Sequence, residues 1–226
     1  MEEAYSFLTV WQNQPIIRVR KGRYLFTFFI NISAGVGGKC SMEGKRLTSY
    51  AMEELECPKC GHKHSLKKYK VINVTEKAKL KEEIMKNRLY QFSCEECEYM
   101  APLTYDSLYV DSRKNIMIYM APVMNAEIKA EIAELEQEKG IDKRLVDNIN
   151  DLKEKIMIVD NHLDDRVIEI IKIMYLDQIK KEMEDDTLLN ILFDYNRDNY
   201  CFLVFFQKKG IGKIPLTREF YRQVED

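Results

Sequence analysis

No glycine-rich phosphate loop, no G-x-S-x-G elbow and no H-E-x-x-H helix occurs in these 226 residues. The usual signatures of phosphate cradling, serine hydrolysis and zincin proteolysis are therefore missing. "GIGK" at 210–213 lacks the P-loop spacing and reads as a turn. Long apolar runs are missing too. "YLFTFFI" at 24–30 is soon broken by Asn31 and Ser33, far short of the roughly 20 residues a spanning helix needs. It follows a basic lead, but no A-x-A cleavage site comes after it, so export is not expected. A cytoplasmic chain that does not enter a membrane is the expectation. Nine glycines and five prolines leave no low-complexity tract, and no internal repeat is visible. Six cysteines are too few for a disulfide scaffold in a chain of this length.

What is present is ordinary globular composition, 46% hydrophobic and 32% charged, enough for one fair-sized core or two small ones. A net charge of −2 argues against a chain that coats nucleic acid along its whole length. The charge is unevenly spread: +2 over residues 1–54, +3 over 55–121, −8 over 122–186 and +1 over 187–226. A mildly basic module is followed by an acidic one. Residues 1–54 stand apart, with four Arg to three Lys, against 21 Lys to seven Arg from residue 55 onward. They read as an N-terminal extension with one candidate strand at 24–32. Translated upstream sequence would explain the extension, with "GGK" at 37–39 preceding a start at Met42 or Met52.

Hydrophobic periodicity organises the rest. "HSLKKYKVINV" reads as a strand, and Thr75 is a candidate cap for a helix with Leu80 and Ile84 on one face, ended by Asn87. "RLYQFSC", "MAPLTYDSLYV" and "NIMIYMAP" read as strands, the last two joined by the polar turn "DSRK". Three helical stripes follow: Ile128, Ile132 and Leu135, closed by Gly140; Leu145, Ile149, Leu152 and Ile156; Val167, Ile170, Ile171 and Met174. A hairpin of "LLNILFDY" and "YCFLVFFQ", a glycine turn "KKGIG" and a short helix capped by Thr217 complete the chain. On the second hairpin strand Phe202, Val204 and Phe206 fall on one face, Leu203 and Phe205 on the other.

Four cysteines form two CxxC pairs, Cys57 with Cys60 and Cys94 with Cys97. Two intervening residues let both sulfurs face one ion, and two such turns supply four soft ligands for zinc. The strand–helix–strand read between the pairs accounts for their wide separation. Thiol–disulfide chemistry and an iron–sulfur or other metal centre remain alternatives. His62 and His64 read as exposed turn and strand residues, and Cys201 as a buried small side chain. A Cys₄ zinc has no open position for water, and "DNHLDD" around His162 reads as a helix start. An enzyme is not expected, and no small-molecule substrate is indicated.

"CPKCG", "INVTEKAKLKEEIMKNRLYQFSCEEC" and "NIMIYMAP" together resemble the CpXC domain of bacterial and archaeal proteins over roughly residues 55–122. The acidic helices with "LDDRVIEIIK" are similar to C-terminal extensions of some members. The resemblance implies a cysteine-ligated zinc domain of uncharacterised function, with Cys57, Cys60, Cys94 and Cys97 as ligands. One departure is that Glu98, where the family commonly has glycine, follows Cys97 and leaves the second turn more strained.

The expected architecture is α+β: a zinc-ribbon-like β module with an inserted helix, then a helical segment, then a β-hairpin plus helix. The expected division is 1–54, 55–122 and an acidic 123–226. A non-catalytic role in protein interaction or scaffolding is the first functional reading, with an unidentified partner or self-association through 123–226. The other is nucleic-acid binding by a basic face between residues 63 and 81, with Lys67, Lys68 and Lys70 on phosphates and Tyr69 stacking on a base.

Overall fold

The computed structural model describes residues 46–182, 185–196 and 199–225. The candidate strand at 24–32, Cys40 and Met42 lie outside the described residues. The fold is α+β, and the described chain divides into two compact units, one ending at Ile149 and one beginning at Asn150.

The first unit is built on a mixed five-stranded sheet of order β1-β2-β5-β6-β7: β1 Ser49–Glu56, β2 Lys63–Asn73, β5 Ser107–Asp111, β6 Ile116–Met120 and β7 Asp142–Val146. β2 pairs antiparallel with β1 from Lys63 to Val71, but parallel with β5 only through Val71, Ile72 and Asn73. Most of the β1–β2 pair is therefore a two-stranded arm. Parallel neighbours need crossovers. Between β2 and β5 the chain forms α1 (Lys79–Met85), a 3-10 turn at Arg88–Tyr90, and the small hairpin β3 (Gln91–Ser93) with β4 (Met100–Pro102). Between β6 and β7 it forms α2 (Ala126–Glu136), whose first turn is capped by the Asn125 side chain accepting from the Ile128 amide at 2.8 Å. Val71, Leu108, Val110, Met117 and Tyr119 share the sheet face on which Ile128 and Leu135 of α2 pack. On the other face Ile72, Tyr109 and Ile118 stand in register and are fully buried.

Several expectations shift here, each because a distant partner decides the local structure. Residues 49–54, assigned to the N-terminal extension, are most of β1. The division falls after Ile149 rather than Pro122, because α2 and β7 complete the first sheet. Leu145 belongs to β7 and not to a helical stripe: the Ala121 amide bonds Val146, and Leu145 pairs with Tyr119. Gly140 (φ 78°) lies in the turn before β7, beyond the end of α2. "MAPLTYDSLYV" splits into β4 and β5, since the Leu103 amide bonds Tyr90 and the Tyr105 hydroxyl bonds the Leu89 carbonyl. Thr75 does not cap α1; its hydroxyl accepts from the Ser112 amide at 2.8 Å, while Leu80 and Ile84 are buried and Asn87 ends the helix at φ 61°.

The second unit holds α3 (Ile149–Asp160), α4 (Asp165–Glu182), a three-stranded antiparallel sheet of order β10-β9-β8, and α5 (Arg218–Glu225). The strands are β8 Leu188–Asn196, β9 Asn199–Phe206 and β10 Gly210–Leu216. The expected hairpin is thus a three-stranded sheet, with Gly210 (φ 81°) making the extra turn. Phe193, Phe202 and Val204 pack against Ile168 and Ile171 of α4 in one apolar cluster. As expected, Phe202, Val204 and Phe206 are the buried side of β9, and the Thr217 hydroxyl caps α5 by accepting from the Phe220 amide at 3.1 Å. Of the third stripe, Val167 and Ile171 are buried, whereas Ile170 and Met174 are about half exposed.

Candidate metal centre

Two strand pairs each present one cysteine turn, and the two turns are built alike. In the first, the Cys57 amide donates to the His62 carbonyl at 2.8 Å and the Gly61 amide to the Cys57 carbonyl at 2.9 Å. In the second, the Cys94 amide donates to the Tyr99 carbonyl at 2.8 Å and the Glu98 amide to the Cys94 carbonyl at 3.0 Å. The residue after the second cysteine must turn left-handed in both: Gly61 at φ 74°, Glu98 at φ 57°. Glycine accepts this freely, whereas a side chain costs about 1–2 kcal/mol. The strain expected at Glu98 is thus located in its backbone.

The turns bring all four Sγ atoms within 4.8 Å of one another. Cys57 to Cys97 and Cys60 to Cys94 are each 3.6 Å apart. Disulfide bonding would need about 2.05 Å. Metal–sulfur bonds of about 2.3 Å in a tetrahedron place the sulfurs about 3.8 Å apart. The donor set and its spacing fit a metal ion. Cys57 and Cys94 are buried among Phe92, Leu66 and Tyr99, Cys97 is half-buried and Cys60 is exposed.

The thiols also oppose one another electrostatically. Burial works against ionising Cys57, yet the Cys60 and Lys59 amides and bonds from Cys97 and Cys60 outweigh it and lower this thiol to about 7. The His62 amide favours the Cys60 thiolate, but the partial loss of water around its sulfur and its three neighbouring thiols push it up to about 12. Burial foremost raises Cys97. One thiolate forms readily and makes the next harder; a cation at the centre reverses this.

His64 is the residue that the sequence reading placed incorrectly. It is half-buried, its Nε2 lies 3.2 Å from Cys94 Sγ, and its ring stands edge-on to Phe92. A ring nitrogen carrying hydrogen can donate to the thiolate and hold it in place. The available signal was parity: His64 and Leu66 share the face of β2 that meets the second turn. His62 is exposed, as expected.

The structure divides the lysine set. Lys68 and Lys70 lie on one face of β2, Lys67 and Tyr69 on the other. Lys68 pairs with Glu53 at 2.7 Å and Lys70 with Asp106 at 3.0 Å. Lys67 sits 4.9 Å above the Tyr50 ring, which tilts against Tyr69 at 5.7 Å. Glu53, Glu54 and Glu56 on β1 further balance the arm's charge.

Two matched cysteine turns on adjoining strand pairs define a protein able to hold a metal ion by four sulfurs. The CpXC protein family matches residues 55–172, from the end of β1 into α4. The chain belongs to the CpXC family. No curated protein and no solved structure matches it. Among the described residues no helix is long and apolar enough to cross a membrane.

Proposed function

We propose that this chain is a non-catalytic zinc protein in which Cys57, Cys60, Cys94 and Cys97 hold one structural Zn²⁺ in a zinc-ribbon-like module. The observation that carries this reading is the cluster of four sulfurs within 4.8 Å on two turns of the same build. Zinc suits four thiolates at tetrahedral corners, needs no redox partner, and with its sphere filled by protein offers no position to activate water. Metal analysis of purified protein should give about one zinc per chain, because four thiolates make one site. Cys94→Ser should lose it. A serine variant that keeps both the metal and the fold of residues 57–101 would refute the reading.

The module serves a protein partner in this reading. The exposed face of the arm carries Tyr50 and Met52 beside charges of both signs, a mixture that suits a protein surface better than a phosphate chain. Residues Ile170, Ile173 and Met174 of α4 are also exposed and support self-association through residues 123–226. Sedimentation of the full chain over a concentration series, repeated with Met174→Lys, tests that association. Retention of single-stranded nucleic acid that falls steeply with salt and is lost in Lys67→Glu would favour the nucleic-acid reading instead.

A further inference from the structure

The second unit has a feature that the metal centre does not involve. The corner between α3 and α4, one end of β9 and one side of α5 enclose an open cavity of about 380 Å³. Small-molecule sites begin near this size, at roughly 300 Å³. Arg218 and Arg222 line it from successive turns of α5, where residues four apart share a face. His162 lines it from the corner, held at a left-handed φ of 58°, and Tyr200 from β9.

Of the described arginines, Arg46, Arg88 and Arg166 each pair with a carboxylate, while the Arg113 guanidinium bonds the Thr75 carbonyl instead. Arg218 lies over the Tyr200 ring at 5.4 Å, and neither it nor Arg222 pairs with a carboxylate among the described residues. Yet residues 150–226 carry a net charge of −4, so carboxylates are plentiful. Glu225, the acid that lines the cavity, is engaged by the Tyr221 hydroxyl at 3.3 Å. That hydroxyl also accepts from the Asp164 amide at 2.7 Å, a latch that fixes α5 against the corner before any ligand arrives.

Planar guanidiniums bind oxyanions through paired N–H donors, and an imidazole adds a third donor. A phosphate monoester offers three acceptor oxygens and close to two negative charges, against two oxygens and one charge on a carboxylate. We propose that this cavity binds the phosphate group of a small phosphorylated molecule, with Arg218, Arg222 and His162 as its donors. The rest of the ligand would occupy the volume beside Tyr200. This site is independent of the metal reading, and neither stands or falls with the other.

Isotope-labelled full-length protein titrated with inorganic phosphate, then with acetate, at constant ionic strength tests the proposal. The expected result is saturable shifts of amide signals at the α3–α4 corner and α5, with a Kd on the order of 1 mM for phosphate and much weaker binding of acetate. Arg222→Ala and Arg218→Ala should each weaken phosphate about tenfold, the loss of one charge-assisted contact, with melting temperatures unchanged because both side chains are exposed. Lys180→Ala, on α4, should leave the affinity unchanged and so exclude a general charge effect. Absence of saturation, equal affinity for acetate, or unaltered binding in the Arg218→Ala/Arg222→Ala double variant would each overturn the proposal.

Discussion

The two units concentrate ionisable groups inside the protein in opposite ways. In the first, four thiols converge and each ionisation hinders the others, so the group that would balance them is not part of the chain. In the second, Glu154, Lys155, Asp165 and Lys172 are all nearly inaccessible, and they balance one another. Lys172 meets Glu154 at 2.6 Å and Glu169 at 3.3 Å, while Lys155 meets Asp165 at 3.1 Å and Glu169 at 2.8 Å. Burial would lower the Lys172 ammonium, but Glu154 and Glu169 outweigh it and hold it above its usual value. A buried cluster of one kind calls for a ligand; a cluster of alternating sign is already complete. That contrast separates a binding site from a structural one.

Chelation, or Cys60→Ser, should produce the largest effect and confine it to the first unit. Hydrogen exchange should accelerate through residues 57–66 and 91–103, while β8 and β9 keep their protection. Equal loss in both units would erase the contrast.

Lys172→Met comes next, with a cost of about 3–5 kcal/mol in denaturant unfolding because Glu154 is left buried without its cation. Adding Glu154→Gln should recover much of this, since the amide oxygen can still accept from the Phe193 amide as the carboxylate does at 2.5 Å. Failure of the double variant to recover would show that the pair contributes more than mutual neutralisation.

Lys153, also inaccessible, gives a smaller effect whose sign depends on pH. Burial lowers its ammonium to about 8, from 10.5. Between those values the unfolded chain holds a proton that the folded chain lacks, so stability from this group rises with pH there. Lys153→Met should stabilise by up to about 3 kcal/mol near pH 7, with a difference from wild type that shrinks as pH climbs from about 8 towards 10.5. A pH-independent difference would sink this account.

The smallest effect belongs to the strained turn. Glu98→Gly should stabilise the metal-bound form by about 1 kcal/mol, read as slower release of the metal to a chelator, and Gly61→Ala should do the reverse by a similar amount.

Features set by adjacent residues were legible before folding was considered. The CxxC spacing, the strain of the turn after Cys97, the Thr217 cap and the alternation along β9 each depend on neighbours in the chain. Features set by distant pairing were not. "DKRLV" continues a helical stripe on paper and becomes β7 because β6 has an open edge. "GIGKIPL" has two glycines and a proline, a poor strand by composition, yet it pairs with β9 along its full length. The lysines of β2 looked like one patch in a linear count and fall on two faces once the strand is straight. The cavity beside α5 draws on three separated segments, and no local pattern announces it.

Eleven residues of β2 run from the first cysteine turn to the central sheet, a span of about 35 Å. Only Val71 is paired on both sides and Ile72 and Asn73 pair with β5 alone, so the stretch from Lys63 to Lys70 is a cantilever with one supporting strand. Such a beam opens from its free end, and that is the end where the sulfurs meet. A metal there would act as a clasp on a zipper, raising the opening free energy most at Lys63 and progressively less towards Val71, while Ile72 and Asn73 would be indifferent to it. Metal occupancy would then be written along a single strand as a gradient of mechanical stiffness, steepest at the tip that a partner would meet first.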